Sequence, residues 1–276
     1  MSMNPPPAEP LVASADGVSI HYRVNGSGTP TLVFVHGWSG DQTYWKMQVE
    51  HFAARHRVVT LDLAGHGNSG DQRKTWSIPA FAEDVVAVVD HLALDGVILV
   101  GHSMGGPVVL ESACRMPSHI TALVGVDTFP DKWVNFNDRE RDQFLQPFRT
   151  DFVQATRTWV SRQLFLPTSD PQLVEKIAAD MSAAPPQVGI PAMEAIYEWG
   201  KKSCVEALRE LRSPVFMIQA QRNENNLQVV SGFASSFQPF QVFLMPDVGH
   251  FPMLEDVETF NLYLSQILES LARPVP

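Results

Sequence analysis

The apolar run Val97–Val100 leads straight into Gly101-His102-Ser103-Met104-Gly105-Gly106, and a helical pattern starts at once in Pro107–Arg115. A strand that turns sharply into a helix leaves no space for Cβ atoms where the two backbones converge, and Gly101 and Gly105 remove them. Pro107 falls in the first helical turn, where a residue without an N–H forfeits no intrahelical bond. The turn holds Ser103 in a strained conformation at the end of its strand. This segment therefore demands a sheet whose strand ends open onto a site.

The rest of the chain supplies that sheet. Thr31–Val35, Val58–Leu61, Val97–Val100, Ala122–Val126, Val215–Ile218 and Val242–Met245 are short, apolar and mostly rich in β-branched residues, as strands buried on both faces are. Ile78–Leu92, Met104–Arg115 and Thr259–Leu271 carry apolar residues at helical spacing between or after them. Alternation of this kind predicts a mostly parallel, doubly wound α/β sheet. Val18–Val24 alternates apolar and polar residues before Asn25-Gly26-Ser27-Gly28, which predicts an antiparallel edge hairpin turning into the next strand.

From about residue 130 to about residue 209 the strand rhythm stops, and Trp133, Phe136, Phe144, Phe148, Phe152, Trp159, Phe165, Met181, Met193, Tyr197 and Trp199 appear among helix formers. This stretch is expected to be a helical cap. Most of these side chains would form its own core and the rest would line a pocket. The expected organisation is a flexible, proline-rich start over 1–15, an α/β core over 16–129 and 210–276, and a cap over 130–209.

Thirty acidic residues against twenty basic ones give a formal charge of -10, a field that repels nucleic acid and anionic lipid headgroups. The N-terminus lacks the basic start and apolar stretch of a signal peptide, and no apolar run approaches the roughly 20 residues that span a bilayer. A cytoplasmic, soluble protein is expected, as a monomer or homodimer. Cys114 and Cys204 lie outside any metal-ligand spacing, so neither a disulfide nor a metal site is expected.

A serine hydroxyl is a poor nucleophile at neutral pH and needs a base. His250, in Asp247-Val248-Gly249-His250-Phe251 just after a predicted strand, is the candidate.

With these segments in place the chain resembles the α/β-hydrolase superfamily over nearly its whole length after about residue 16. His36-Gly37-Trp38, Asp62-Leu63-Ala64-Gly65-His66-Gly67-Asn68-Ser69, Gly101–Gly106 and Gly249-His250 follow the family's motifs in order. The resemblance implies an oxyanion hole made by the backbone N–H groups of Trp38 and Met104, each donor worth roughly 3 kcal/mol in the transition state. His36, His66 and His102 are expected to pin loops.

The acid partner of His250 departs from the commonest pattern. The usual position follows Val215–Ile218, but the chain there reads Gln219-Ala220-Gln221-Arg222-Asn223-Glu224, with an amide where many relatives carry Asp. Two carboxylates compete. Asp127 ends the preceding strand, where some members of the superfamily place their acid, and a buried carboxylate there would need a partner. Glu224 is the alternative acid, reaching from its loop. Asp62 and Asp84 are expected to be structural.

The resemblance implies a serine hydrolase that cleaves an ester or lactone of a small to medium hydrophobic substrate through an acyl-enzyme, with no cofactor. Trp133, Phe136 and Phe144 are expected on the pocket face of the cap. Three rivals share the fold: a carbon–carbon bond hydrolase, a cofactor-free ring-opening dioxygenase, and a non-catalytic receptor. The dioxygenase reading rests on Gly37-Trp38 and Asp127; against it, the chain has Met104 after Ser103 and Ser39, Gly40 and Gln42 after Trp38, near the positions where those enzymes carry extra histidines.

Overall fold

The computed structural model describes residues 10–128, 137–202, 207, 211–221 and 240–272. The strands are β1 (Leu11–Ala13), β2 (Ser19–Asn25), β3 (Thr31–Val35), β4 (Val58–Leu61), β5 (Val97–His102), β6 (Ile120–Val126), β7 (Val215–Gln221) and β8 (Phe240–Pro246). They form one eight-stranded sheet in the order β1-β2-β4-β3-β5-β6-β7-β8. β3 to β8 are parallel, with β1 and β2 antiparallel at one edge. β3, β4 and β5 are buried along their whole length, because helices cover both faces.

The helices are α1 (Lys46–Phe52), α2 (Ile78–His91), α3 (Gly105–Arg115), α4 (Asp138–Thr150), α5 (Phe152–Trp159), α6 (Pro171–Ser182), α7 (Pro186–Lys202), α8 (Pro252–Glu255) and α9 (Val257–Ala272). α2 packs with α3 on one face of the sheet, and α1 with α9 on the other. α4 to α7 lie in the long connection between β6 and β7. Among the described residues, no helix is long and apolar enough to cross a membrane. The element order and the parallel core make this an α/β-hydrolase fold.

Two expectations about the N-terminal edge are corrected. β2 is antiparallel, but it does not form a hairpin with the strand that follows it: it pairs with β1 and β4, and β3 lies beyond β4. The segment after β2 crosses the loop before β4 at close range, where Gly28 accepts a hydrogen bond from the Arg57 N–H at 2.7 Å. That crossing carries β3 past β4. Residues 11–14 are likewise not part of a loose tail. They form β1 and place the Ser14 hydroxyl 2.6 Å from the buried Asp84 carboxylate.

Asp84, on the inner face of α2, also accepts hydrogen bonds from the Ala64 N–H at 3.0 Å and from the Arg73 guanidinium at 2.5 and 3.2 Å. Burial pushes this carboxyl upward, and Arg73 opposes the shift. Arg73 also holds Asp16 at 2.7 Å, so one cation ties the loop before α2 to the residues beside β1. Removing one partner of a buried ion pair leaves an uncompensated charge. Arg73→Leu is expected to cost about 3–5 kcal/mol of stability, measured as a lowered midpoint in urea unfolding. A loss below about 1 kcal/mol would contradict the assignment.

His36 and His66 join the loops after β3 and β4. The His36 Nε2 accepts the Leu63 N–H at 3.0 Å, so its Nδ1–H donates to the Gly37 carbonyl at 2.8 Å. His66 donates from Nδ1 to the Ala64 carbonyl at 2.9 Å. Burial depresses both imidazoles, His66 to about 3. An unfolded histidine titrates near 6.5, so between those values the unfolded chain binds protons that the native chain refuses. The resulting stability is complete above about pH 6.5 and is lost as pH falls toward 3. From pH 7 to pH 5 the wild type should lose about 2 kcal/mol more than His66→Asn, as read by denaturant titration. Parallel pH profiles for the two proteins would refute this.

Candidate active site

Ser103 follows β5 with φ 52°, and Asp127 follows β6 with φ 39°. Both lie in the left-handed region, a local cost of about 1–3 kcal/mol for a non-glycine residue that the surrounding bonds must offset. The Ser103 N–H donates to the Val126 carbonyl at 3.0 Å, and the Ser103 carbonyl accepts from the Gly106 N–H at 2.9 Å and the Thr128 hydroxyl at 2.8 Å. A Cβ on Gly101 would come within 2.3 Å of the Gly105 carbonyl oxygen, and one on Gly105 within 2.6 Å of that of Val35. The glycine requirement expected at this turn is therefore a matter of backbone-to-backbone distance.

The loop after β8 carries His250. Its left-handed residue is Asp247, with φ 58°. Gly249 allows a close approach: a Cβ there would lie 2.5 Å from the Leu164 carbonyl oxygen. The His250 N–H donates to that same carbonyl at 2.6 Å, and its own carbonyl accepts from His102 Nε2 at 2.7 Å. Glu255, at the end of α8, accepts the N–H groups on both sides of the histidine, Gly249 at 3.0 Å and Phe251 at 3.2 Å, and the Ser169 hydroxyl at 2.7 Å. The histidine loop is thus bonded to the helical segment inserted between β6 and β7.

These strand ends bring Ser103, His250 and Asp127 into one chain of hydrogen bonds. The Ser103 Oγ lies 2.8 Å from His250 Nε2, and His250 Nδ1 lies 2.5 Å from Asp127 Oδ2. A carboxylate on the Nδ1 side assigns the proton to Nδ1 and leaves Nε2 as the acceptor of the serine proton. Asp127 is only 4% exposed, and its second oxygen accepts from the Gln219 side-chain amide and the Ala220 N–H, both on β7. Such an arrangement can move a proton from a hydroxyl to an imidazole while holding the imidazolium that results.

Trp38 is buried in the loop after β3, its indole N–H 2.6 Å from the Gly189 carbonyl of α7. Among the described residues, neither the Trp38 nor the Met104 backbone N–H makes a hydrogen bond. Asp62 braces the Trp38 loop by accepting the Gln42 N–H at 2.8 Å and its side-chain amide at 2.9 Å. Beside Ser103 and His250 is a cavity of about 10 Å³ walled by Trp38, Tyr44, Trp159, Leu164, Met181 and Phe251. That is room for roughly one water molecule.

Phe144, expected at the pocket face, packs against Phe148, Trp159 and Tyr197 at ring distances of 5.4, 6.0 and 6.2 Å. It is not among the residues that line the cavity; Trp159, Leu164 and Met181 take that place from the same helical segment. Trp133, Phe136 and Glu224 lie outside the described residues. The sequence reading missed Tyr44 and Gln219. A glutamine closing an otherwise apolar strand was the available signal for Gln219, since a buried amide there needs a polar neighbour.

Comparison with known proteins places the chain in context. The acetyltransferase component of the acetoin cleaving system from Pseudomonas putida is 28% identical over 257 residues, which cover 87% of this chain and 64% of that protein. Among solved structures, Est816, an N-acyl homoserine lactone degrading enzyme, matches with a TM-score of 0.79 and 25% identity, over 93% of this chain and 99% of that one. A thermophilic esterase from Thermogutta terrifontis shares the fold with a TM-score of 0.83 at 23% identity, over 96% and 99% of the two chains. Residues 32–261 match the alpha/beta hydrolase family, and with the parallel sheet and its serine turn already in view, the chain belongs to that family.

Proposed function

We propose that the protein hydrolyses an ester or lactone of a small to medium hydrophobic substrate through an acyl-enzyme. Ser103 attacks the acyl carbonyl as His250 takes its proton. The tetrahedral oxyanion lies against the Trp38 and Met104 N–H groups, and the protonated His250 returns its proton to the leaving oxygen. Water then attacks the acyl-enzyme, with His250 again as base. The observation that carries this reading is the continuous hydrogen-bonded path from Ser103 Oγ through His250 to Asp127.

Asp127 acts by fixing the tautomer of His250 and stabilising its cation, and Gln219 and Ala220 hold the carboxylate in line. The apolar wall of Trp159, Leu164 and Met181 favours a hydrophobic acyl group. A cavity of about 10 Å³ is too small for such a group, so this reading has that wall move and α4 to α7 act as a cap. Similarity to an N-acyl homoserine lactone degrading enzyme and to an esterase supports ester and lactone carbonyls as the substrates to try first.

Hydrolysis of p-nitrophenyl esters from acetate to octanoate, under air and under nitrogen, tests the reading. Turnover should be indifferent to oxygen and should fall at least about 10⁴-fold in Ser103→Ala and about 10⁴-fold in Asp127→Asn. Oxygen-dependent turnover, or a Ser103→Ala protein that keeps its rate, would sink it. Glu255→Gln loosens the histidine loop without touching substrate. It should lower kcat about 10- to 100-fold with little change in KM, in keeping with the cost of misplacing a base by a fraction of an ångström. An unaltered kcat would show that Leu164 and His102 hold the loop unaided.

A further inference from the structure

Trp159, the last residue of α5, and Leu164 both line the cavity beside Ser103, and the residues Val160–Leu164 form a π turn. On an α-helix, residues five apart point about 140° away from each other. In a π turn the N–H groups bond five residues back instead of four, and such a pair returns toward one face. An α-helical continuation of α5 that kept Trp159 at the cavity would have aimed Leu164 elsewhere. Val160 and Leu164 are buried, whereas Ser161, Arg162 and Gln163 are exposed, so the extra residue of the turn is taken up on the solvent side.

Both side chains are held where the turn puts them. Leu164 is 6% exposed, and its carbonyl receives the His250 N–H at 2.6 Å. The Trp159 ring lies 5.6 Å from Trp38 and 6.0 Å from both Phe144 and Phe148. Met181 of α6 closes the remaining side of the wall. Small shifts of these side chains give a methyl group room. A longer chain must drive out Trp159, against a close-packed aromatic cluster, or Leu164, whose backbone anchors the base.

The two arms of an ester do not meet this wall equally. The alcohol departs once the acyl-enzyme has formed, while the acyl group stays on Ser103 as water attacks it. Only the acyl group must share the space beside Ser103 and His250 through both half-reactions.

We infer that the π turn makes Trp159 and Leu164 a filter for acyl length, so that the substrates are esters of acetyl-sized acids whose hydrophobic bulk lies in the alcohol. The inference rests on the hydrolase reading above and names which arm of the substrate is short. It favours open esters over lactones, in which the acyl chain itself carries the alcohol.

Binding is read without turnover in Ser103→Ala protein. Phenyl acetate should bind at least about tenfold more tightly than phenyl hexanoate by calorimetric titration, although the longer chain is the more hydrophobic. Hexyl acetate should bind no worse than ethyl acetate. Adding Trp159→Ala or Leu164→Ala opens the wall and should bring phenyl hexanoate at least level with phenyl acetate. Both ligands are compared on one preparation, so a partial loss of folded protein leaves their ratio intact. Phenyl hexanoate bound as tightly as phenyl acetate before the wall is cut, or a preference that survives both substitutions, would overturn the filter. Rejection of hexyl acetate as strong as that of phenyl hexanoate would overturn its assignment to the acyl arm.

With Ser103 present, the same preference should appear in kcat/KM and relax in the same variants. Deleting the exposed Arg162 removes the extra residue of the turn. It should relax the preference as Leu164→Ala does and also lower kcat on phenyl acetate, because the carbonyl that anchors His250 turns away with its side chain. A deletion that keeps the acetate preference takes the π turn out of the filter. If no ester turns over while the binding order holds and yields to the substitutions, the hydrolase reading fails and the filter stands. If esters turn over with hexanoate preferred from the start, the hydrolase reading stands and the filter falls.

Discussion

A carboxylate that is 4% exposed at the end of a strand can persist only if each of its oxygens has a partner, since an isolated buried charge costs several kcal/mol. Asp127 meets this demand with two elements at once. One oxygen faces His250, from the loop after β8; the other is held by Gln219 and Ala220 of β7. Those contacts draw the ends of β6, β7 and β8 together, and Ser103 joins through the same imidazole. Because strands β5 to β8 are parallel, their ends open on the same side, so the site and the sheet are fixed by one arrangement.

The histidine is secured from the opposite direction. Its amide bonds to Leu164, and Glu255 links its two neighbours to Ser169, so the loop is fastened to the helical segment above the sheet as well as to the sheet itself. Trp38 repeats the pattern on the other side of the serine through its indole bond to Gly189. The helical segment is therefore bonded both to the loop that carries His250 and to the loop that carries Trp38.

Much of the fold was legible in the sequence because its signals are local. Apolar strands and the glycines around Ser103 each constrain their own few residues. The choice of Asp127 over a carboxylate after β7 was also open to argument, since Asn223 occupies the expected position and a charge at a strand end calls for a partner. What was not legible depends on distant backbone. Gly249 accommodates the distant Leu164 carbonyl, β2 pairs across β4 rather than with β3, and the Ser14 hydroxyl meets Asp84, seventy positions away. Phe144 shows the same limit: its aromatic character was evident, but the turn of α4 that directs it toward Phe148 and Tyr197 is set by helix packing.

The cavity beside Ser103 has room for about one water and is closed by Trp159, Leu164 and Met181. In this conformation an acyl group larger than a water molecule has no room beside Ser103. Where the wall must open to admit a ligand, measured affinity is the intrinsic affinity reduced by the fraction of molecules whose wall stands open. Substitutions far from the chemistry, in the packing of α4 to α7, would then tune apparent affinity without altering a single contact made to the bound substrate.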